Sequence, residues 1–232
     1  SANAGGGGGI CNYEATLTLT NVVFNANFAQ TSGGGIQSNY SGCTLSNCTF
    51  SGNTALIGGG GIVNSLSTAT LTNCILWGDI APTPSEIASG STSMLTVTYS
   101  VVQGWDDDPV NNVIGTQDPL FVNAASGNLH LQPGSPAIDT GTATGAPAFD
   151  LDGLARPQDG DGSGTAEFDV GAYEYVPSAP VDITLQAGWN LVAGAPAPTS
   201  VGTSSVGTAL CVPTTAPRIP TPGRATGARP LG

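Results

Sequence analysis

Thr18-Leu-Thr-Asn-Val-Val-Phe24 decides the fold of this chain, because it returns at one fixed interval. The phrase stands again as Thr44-Leu-Ser-Asn-Cys-Thr-Phe50, as Thr70-Leu-Thr-Asn-Cys-Ile-Leu76 and, more altered, as Thr96-Val-Thr-Tyr-Ser-Val-Val102, each 26 residues after the last. A second phrase, Gly-Gly-Gly-Ile, keeps the same step and ends at Ile10, Ile36 and Ile62. Two unrelated phrases on one period describe a repeat architecture, in which each unit buries its apolar face against its neighbour.

Alternation in Leu17-Thr18-Leu19-Thr20 is a strand signal, with the leucines on one face and the threonines on the other. Glycine trios and so many β-branched residues cannot supply a helical repeat. Short strands joined by Gly, Asn and Ser corners predict an all-β, right-handed parallel β-helix of 26-residue coils, successive coils lying about 4.8 Å apart. Leu19, Leu45, Leu71 and Val97 then stack inward, as do Phe24, Phe50, Leu76 and Val102. Asn21, Asn47 and Asn73 fall at the corner between strands, where asparagine tolerates the left-handed conformation and its amide can bond the amides above and below. Tyr99 ends that column.

Four segments follow from the pattern: coils over 1–122, a capping segment over 123–176, a linker with a short hairpin over 177–194, and a low-complexity Pro/Thr-rich tail over 195–232. Because Ser1 falls at a coil boundary, further coils or a cap are expected before it; an open first coil receiving another copy head-to-tail is the sharper alternative. Between Ile80 and Gly90 the glycine trio gives way to Ala81-Pro82-Thr83-Pro84-Ser85-Glu86-Ile87, read as a loop insertion at the same coil position.

Sixteen acids face four arginines and no lysine, for a net charge of −12. All sixteen lie at or before Asp182 with Arg156 as their only cation, which excludes nucleic acid and anionic lipid as natural partners. No apolar run is long enough for a transmembrane helix. Five cysteines, Cys11, Cys43, Cys48, Cys74 and Cys211, show no Cys-x-x-Cys spacing, so a zinc site is not expected. Cys48 and Cys74 share one inward column, a side-by-side geometry that favours buried free thiols over a bridge.

The best metal candidates are Asp150 with Asp152, and Asp159 with Asp161, since aspartates at alternate positions in glycine-rich backbone can turn oxygens onto a calcium ion. The second loop starts like an EF-hand but has Val170 where the closing glutamate belongs. The run Asp106-Asp107-Asp108 reads as a solvated turn. Arg156 is expected in a structural ion pair with Asp139, Asp169 or Glu174. His130, between Leu129 and Leu131, reads as a surface histidine without a carboxylate partner.

A further stretch carries a resemblance. Gly127-Asn-Leu-His-Leu-Gln-Pro-Gly-Ser-Pro-Ala-Ile-Asp-Thr-Gly141, Asp150-Leu-Asp-Gly-Leu-Ala-Arg-Pro157 and Asp169-Val-Gly-Ala-Tyr-Glu-Tyr175 resemble the choice-of-anchor Q domain that closes bacterial surface β-helices. The Phe-x-x-Asn steps at Phe24 to Asn27 and Phe50 to Asn53, each followed by Gly-Gly-Gly-Ile, resemble the polymorphic outer membrane protein repeat. Leu76-Trp-Gly-Asp79 departs from that pattern and leaves the third corner open. The resemblance implies a secreted or cell-surface β-helix with no catalytic residues to carry over. The C-terminal strings read as a cap whose Val170, Ala172 and Tyr173 pack across the last coil.

Three functions remain open at this stage. A non-enzymatic structural or adhesive module would use its flat sides to hold a cell-surface or matrix polysaccharide, a protein, or another copy of itself. A polysaccharide-degrading enzyme needs cations and a base, or paired carboxylates on adjacent coils; Glu14 and Asp79 share no phase, and no pair is found within the repeats. Ice binding would use the outward hydroxyl grid of Thr18, Thr20, Thr44, Ser46, Thr70, Thr72, Thr96 and Thr98, although threonine is also an ordinary exposed strand residue.

Overall fold

Alternating strand residues and left-handed corners wind the chain into a parallel β-solenoid of about four turns, seen in a computed structural model that describes residues 6–83, 86–106, 108 and 110–178. The first coil holds β1 (Ile10–Tyr13), β2 (Thr16–Thr20), β3 (Val23–Asn25) and β4 (Phe28–Ala29). The second holds β5 (Ile36–Asn39), β6 (Gly42–Ser46), β7 (Thr49–Ser51) and β8 (Thr54–Ala55). The third holds β9 (Ile62–Ser65), β10 (Thr68–Thr72) and β11 (Ile75–Leu76), and the fourth β12 (Ile87–Ser89), β13 (Met94–Thr98) and β14 (Ser100–Val102). Three parallel sheets of four coils result, in the orders β1-β5-β9-β12, β2-β6-β10-β13 and β3-β7-β11-β14, the last extended by β15 (Val113–Ile114), and β4 pairs with β8 in a fourth, two-stranded parallel sheet.

Register follows the period. Leu19 pairs with Leu45, Leu45 with Leu71 and Leu71 with Val97, while Phe24 pairs with Phe50 and Phe50 with Leu76. The rings of Phe24 and Phe50 stack with centroids 4.5 Å apart and planes 8° from parallel. Asn21, Asn47, Asn73 and Tyr99 all take positive φ, between 48° and 53°, as the corner required. The glycine trio has a packing reason: a Cβ on Gly35 would sit 2.8 Å from the Phe50 ring and 2.7 Å from the Gly61 carbonyl oxygen. The third glycine lets the corner phenylalanine lie against bare backbone.

Polar ladders run through the interior beside the apolar ones. Asn53 Oδ1 accepts from Asn27 N and Nδ2, and Asp79 Oδ1 accepts from Asn53 N and Nδ2, at 2.7–3.0 Å. Asp79 therefore takes the asparagine place in the third coil, which closes the corner that its altered phrase had left open. In the insertion Ile87 pairs with Ile62, one residue short of the period, and Glu86 stands in the column of Gly9, Gly35 and Gly61.

After the coils, β16 (Phe121–Asn123) and β17 (Asn128–Leu131) form an antiparallel hairpin, followed by irregular chain. Coils and hairpin belong to one compact unit, Ser1–Pro177. The expectation that this segment would pack across the last coil is corrected: it lies along the flank and reaches all four coils. Asn21 Nδ2 donates to the Phe149 carbonyl, Asn47 Nδ2 to those of Asp169 and Gly171, and Asn73 Nδ2 to that of Thr142. Beneath it, Val23, Thr49, Ile75 and Val101 form the outward column of the third sheet, and Ile75 and Val101 join Leu129, Leu131, Ile138 and Val170 in a second core. Solvated polar residues would suit that column only if nothing covered it. Apart from residues 177 and 178, the linker, hairpin and tail expected after 176 lie outside the described residues.

Candidate functional site

The outward face of the second sheet is the hydroxyl grid. Thr18, Thr44, Thr70 and Thr96 pair in one column, and Thr20, Ser46, Thr72 and Thr98 in the next. Thr18, Thr20, Thr44 and Thr96 are exposed and the other four half-buried, with Thr72 Oγ1 and Thr98 Oγ1 joined at 3.3 Å. The strands hold these side chains because every second residue points inward to the leucine column.

Beside the grid, at the corner joining the first and second sheets, runs an open groove of about 540 Å³. Its wall is the column Glu14, Tyr40 and Leu66, all at positive φ near 50°, and its floor is Thr16, Gly42 and Thr68. Tyr40 is exposed, and Tyr13 meets its ring edge-on at 5.9 Å. A hydrogen bond to Glu14 raises the Tyr13 hydroxyl above its ordinary value, which places that carboxylate beside the two rings.

The four metal candidates separate. Asp150 is buried, its Oδ1 accepting from Asp152 N and Leu154 N and its Oδ2 from Glu174 N, so it closes a loop. Asp152 turns away to His130, whose Nε2 lies 2.7 Å from its Oδ2. Asp159 and Asp161 do converge, with Asp139 as the third carboxylate, and one oxygen of each lies within 4.8 Å of the others. Asp139 Oδ2 accepts from Asp161 N, Asp159 Oδ2 from Gly164 N and Asp161 Oδ1 from Ser163 N. Burial raises the Asp139 carboxyl, whereas the Ser163 amide lowers that of Asp161. These three could supply oxygen donors to a hard cation, with backbone carbonyls or water completing the shell. Asp139 had no signal in the sequence, because the chain brings it in from 20 residues upstream of Asp159.

His130 also departs from expectation. Besides Asp152 it has Asn128 Oδ1 at 2.7 Å from Nδ1 and Tyr173 stacked at 4.0 Å, so both ring nitrogens are engaged and the ring is held. Arg156 behaves as expected: Nη1 meets Glu174 Oε2 at 2.5 Å with both side chains out of solvent, and its two terminal nitrogens donate to the carbonyls of Asp169 and Gly171. Burial pushes Asp169 up to about 7.

The coils do hold a carboxylate pair, contrary to the sequence reading. Asp79 and Glu86 are 4% and 3% exposed, and Asp79 N donates to Glu86 Oε1. Burial, the neighbouring charge and a hydrogen bond between the carboxyls push Glu86 up to about 9, and burial pushes Asp79 up to about 6. The pair faces the solenoid interior and cannot meet a polysaccharide. Cys43, Cys48 and Cys74 are buried free thiols and Cys11 is an exposed one; burial pushes Cys43 up to about 11.

Fold and geometry thus define a parallel β-solenoid with a flanking segment, a regular hydroxyl face and an axial groove. Comparison with known proteins finds no matching family model, curated protein or solved structure. No helix among the described residues is long and apolar enough to cross a membrane.

Proposed function

We propose that this chain is a non-enzymatic, extracellular or cell-surface module whose solenoid presents a rigid face to a polysaccharide or protein of the matrix. The observation that carries the reading is the in-register hydroxyl grid, held in two columns over four coils by strands that cannot shift independently. Several charged side chains are committed to the fold: Asp79 and Glu86 face inward, Asp150 holds backbone amides, and Arg156 is enclosed with Glu174. A surface location accords with the choice-of-anchor Q and polymorphic-repeat resemblances, and with a body rich in acids.

Incubation with matrix proteins and with soluble polysaccharides tests it. Retention on at least one of them, with no new reducing ends or unsaturated sugars, is the expected result, and release of either product overturns the non-enzymatic reading. Copies of the chain are a further partner class for the same rigid face. Light scattering across concentration reads that arm. The same grid supports ice binding as a second reading, which unchanged thermal hysteresis and ice-crystal shape would remove.

A further inference from the structure

From the axial groove beside the hydroxyl grid we infer that the ligand of this module is a neutral polysaccharide chain, seated along the corner from Glu14 to Met94. The inference deepens the adhesive reading above and rests on it. The groove is directional: Glu14, Tyr40 and Leu66 repeat at 26-residue steps along its wall, and Thr16, Gly42, Thr68 and Met94 along its floor. A groove that crosses coil after coil in one line fits a linear polymer better than a compact ligand.

Its chemistry is amphipathic. Tyr40 offers an exposed ring, 57% accessible, whose orientation is fixed by Tyr13, and the floor offers hydroxyls and methyls. Sugar rings have the same two-sided character, apolar C–H faces and hydroxyl edges, so an aromatic wall over a threonine floor matches them. Charge selects among sugars. Glu14 is the one ionisable carboxylate lining the groove, and the one arginine among the described residues is enclosed with Glu174, so nothing there would neutralise a uronate or sulfate. The corner also accepts strain to carry these side chains. Positive φ at Tyr40 and Leu66 is strained for side chains of these types, and asparagine, which fills the corner at 21, 47 and 73, would avoid much of that strain.

Gly42 supplies the room. A Cβ there would meet only the Thr16 methyl and hydroxyl at 3.8 Å, so a side chain fits without moving the coil and would occupy the groove. Threonine already stands above and below it, at 16 and 68.

Affinity gel electrophoresis with neutral polysaccharides (a mixed-linkage β-glucan, a mannan and an arabinoxylan) and with pectate as the anionic control tests this on the full chain. Two variants keep the fold: Tyr40→Asn removes the ring at a corner asparagine favours, and Gly42→Thr fills the floor with the residue of its neighbours. Circular dichroism melts confirm that both remain folded. Retardation by at least one neutral polymer, weakened about tenfold or more in both variants and unchanged in Val110→Ser, an exposed loop residue outside both groove and grid, is the expected result. Equal retardation of wild type and both variants overturns the groove while leaving an adhesive module standing. Binding to matrix protein alone, or stronger binding to pectate than to any neutral polymer, overturns the neutral-glycan assignment. Release of sugar products defeats the non-enzymatic reading instead.

Discussion

Replacing Glu86 with glutamine should stabilise the solenoid, and by an amount that depends on pH. Glu86 stands where three coils carry glycine, and its Oε1 accepts from Asp79 N while its Oε2 and Asp79 Oδ2 are buried with no hydrogen-bond partner. Its ordinary value is 4.5 and its folded value about 9. At pH 7 folding must therefore return a proton to a group that is ionised in the unfolded chain. At about 1.36 kcal/mol per pH unit, the distance from 4.5 to 7 costs about 3 kcal/mol. Because the folded value is raised, this contribution to stability is whole below pH 4.5 and is lost as pH climbs towards 9.

A glutamine at 86 keeps the acceptor for Asp79 N and stays neutral at every pH, with no proton to capture. The expected gain is about 2–3 kcal/mol at pH 7, given that the amide also loses water on burial. Urea unfolding followed by circular dichroism, repeated from pH 4.5 to 9, reads it directly: wild type and Glu86→Gln should agree near pH 4.5 and diverge upward. A difference that stays constant across that range, or a variant less stable than wild type at pH 8, refutes a Glu86 that folds in its protonated form.

Other outcomes follow from the same geometry. Arg156→Met leaves Glu174 buried without its partner and should cost about 3–5 kcal/mol, read as a lowered urea midpoint; a cost under 1 kcal/mol would mean the pair is not enclosed. In a Cys211→Ser background, Ellman's reagent should react at once with Cys11 alone, and with the three buried thiols only on unfolding. Calcium at about 1 mM, the range of weak extracellular sites, should raise the melting temperature of wild type and not of Asp161→Asn if the Asp139, Asp159 and Asp161 oxygens share an ion; equal shifts, or none, remove calcium from that cluster.

Much of the solenoid could be read from the sequence because one side chain per coil repeats in one environment. Leucine, phenylalanine and corner asparagine each report a column, and the columns are the fold. Legibility ends where the period slips. Ile87 pairs with Ile62 at 25 residues rather than 26, so Glu86 falls into a glycine column and beside Asp79 without any motif to announce it. The acidic cluster was half legible: Asp159 and Asp161 share a loop, but Asp139 and the His130 to Asp152 contact depend on how irregular chain folds back. The third sheet carries a signal of its cover. The residue before the inward phenylalanine position is Val23, Thr49, Ile75 and Val101, apolar in three coils of four where an uncovered face would carry hydroxyls throughout, and that column is where the flanking segment lies, with Thr49 Oγ1 accepting from Ala172 N.

The corner asparagines connect these observations. They accept the left-handed turn that lets one coil follow the next, and the same amides then donate to the carbonyls of Phe149, Asp169, Gly171 and Thr142. Arg156 binds two of those carbonyls, Asp169 and Gly171, from the other side while Glu174 holds its charge. The residues that set the period therefore also fasten the flank, and the single cation among the described acids completes that joint. Covering the third sheet in this way commits its apolar column to the core and leaves the hydroxyl sheet, with Tyr40 and the groove at its border, facing solvent. An asparagine-to-alanine change at 47 should for that reason loosen the flank as well as the coil, where a change at Leu45 would loosen the coil first.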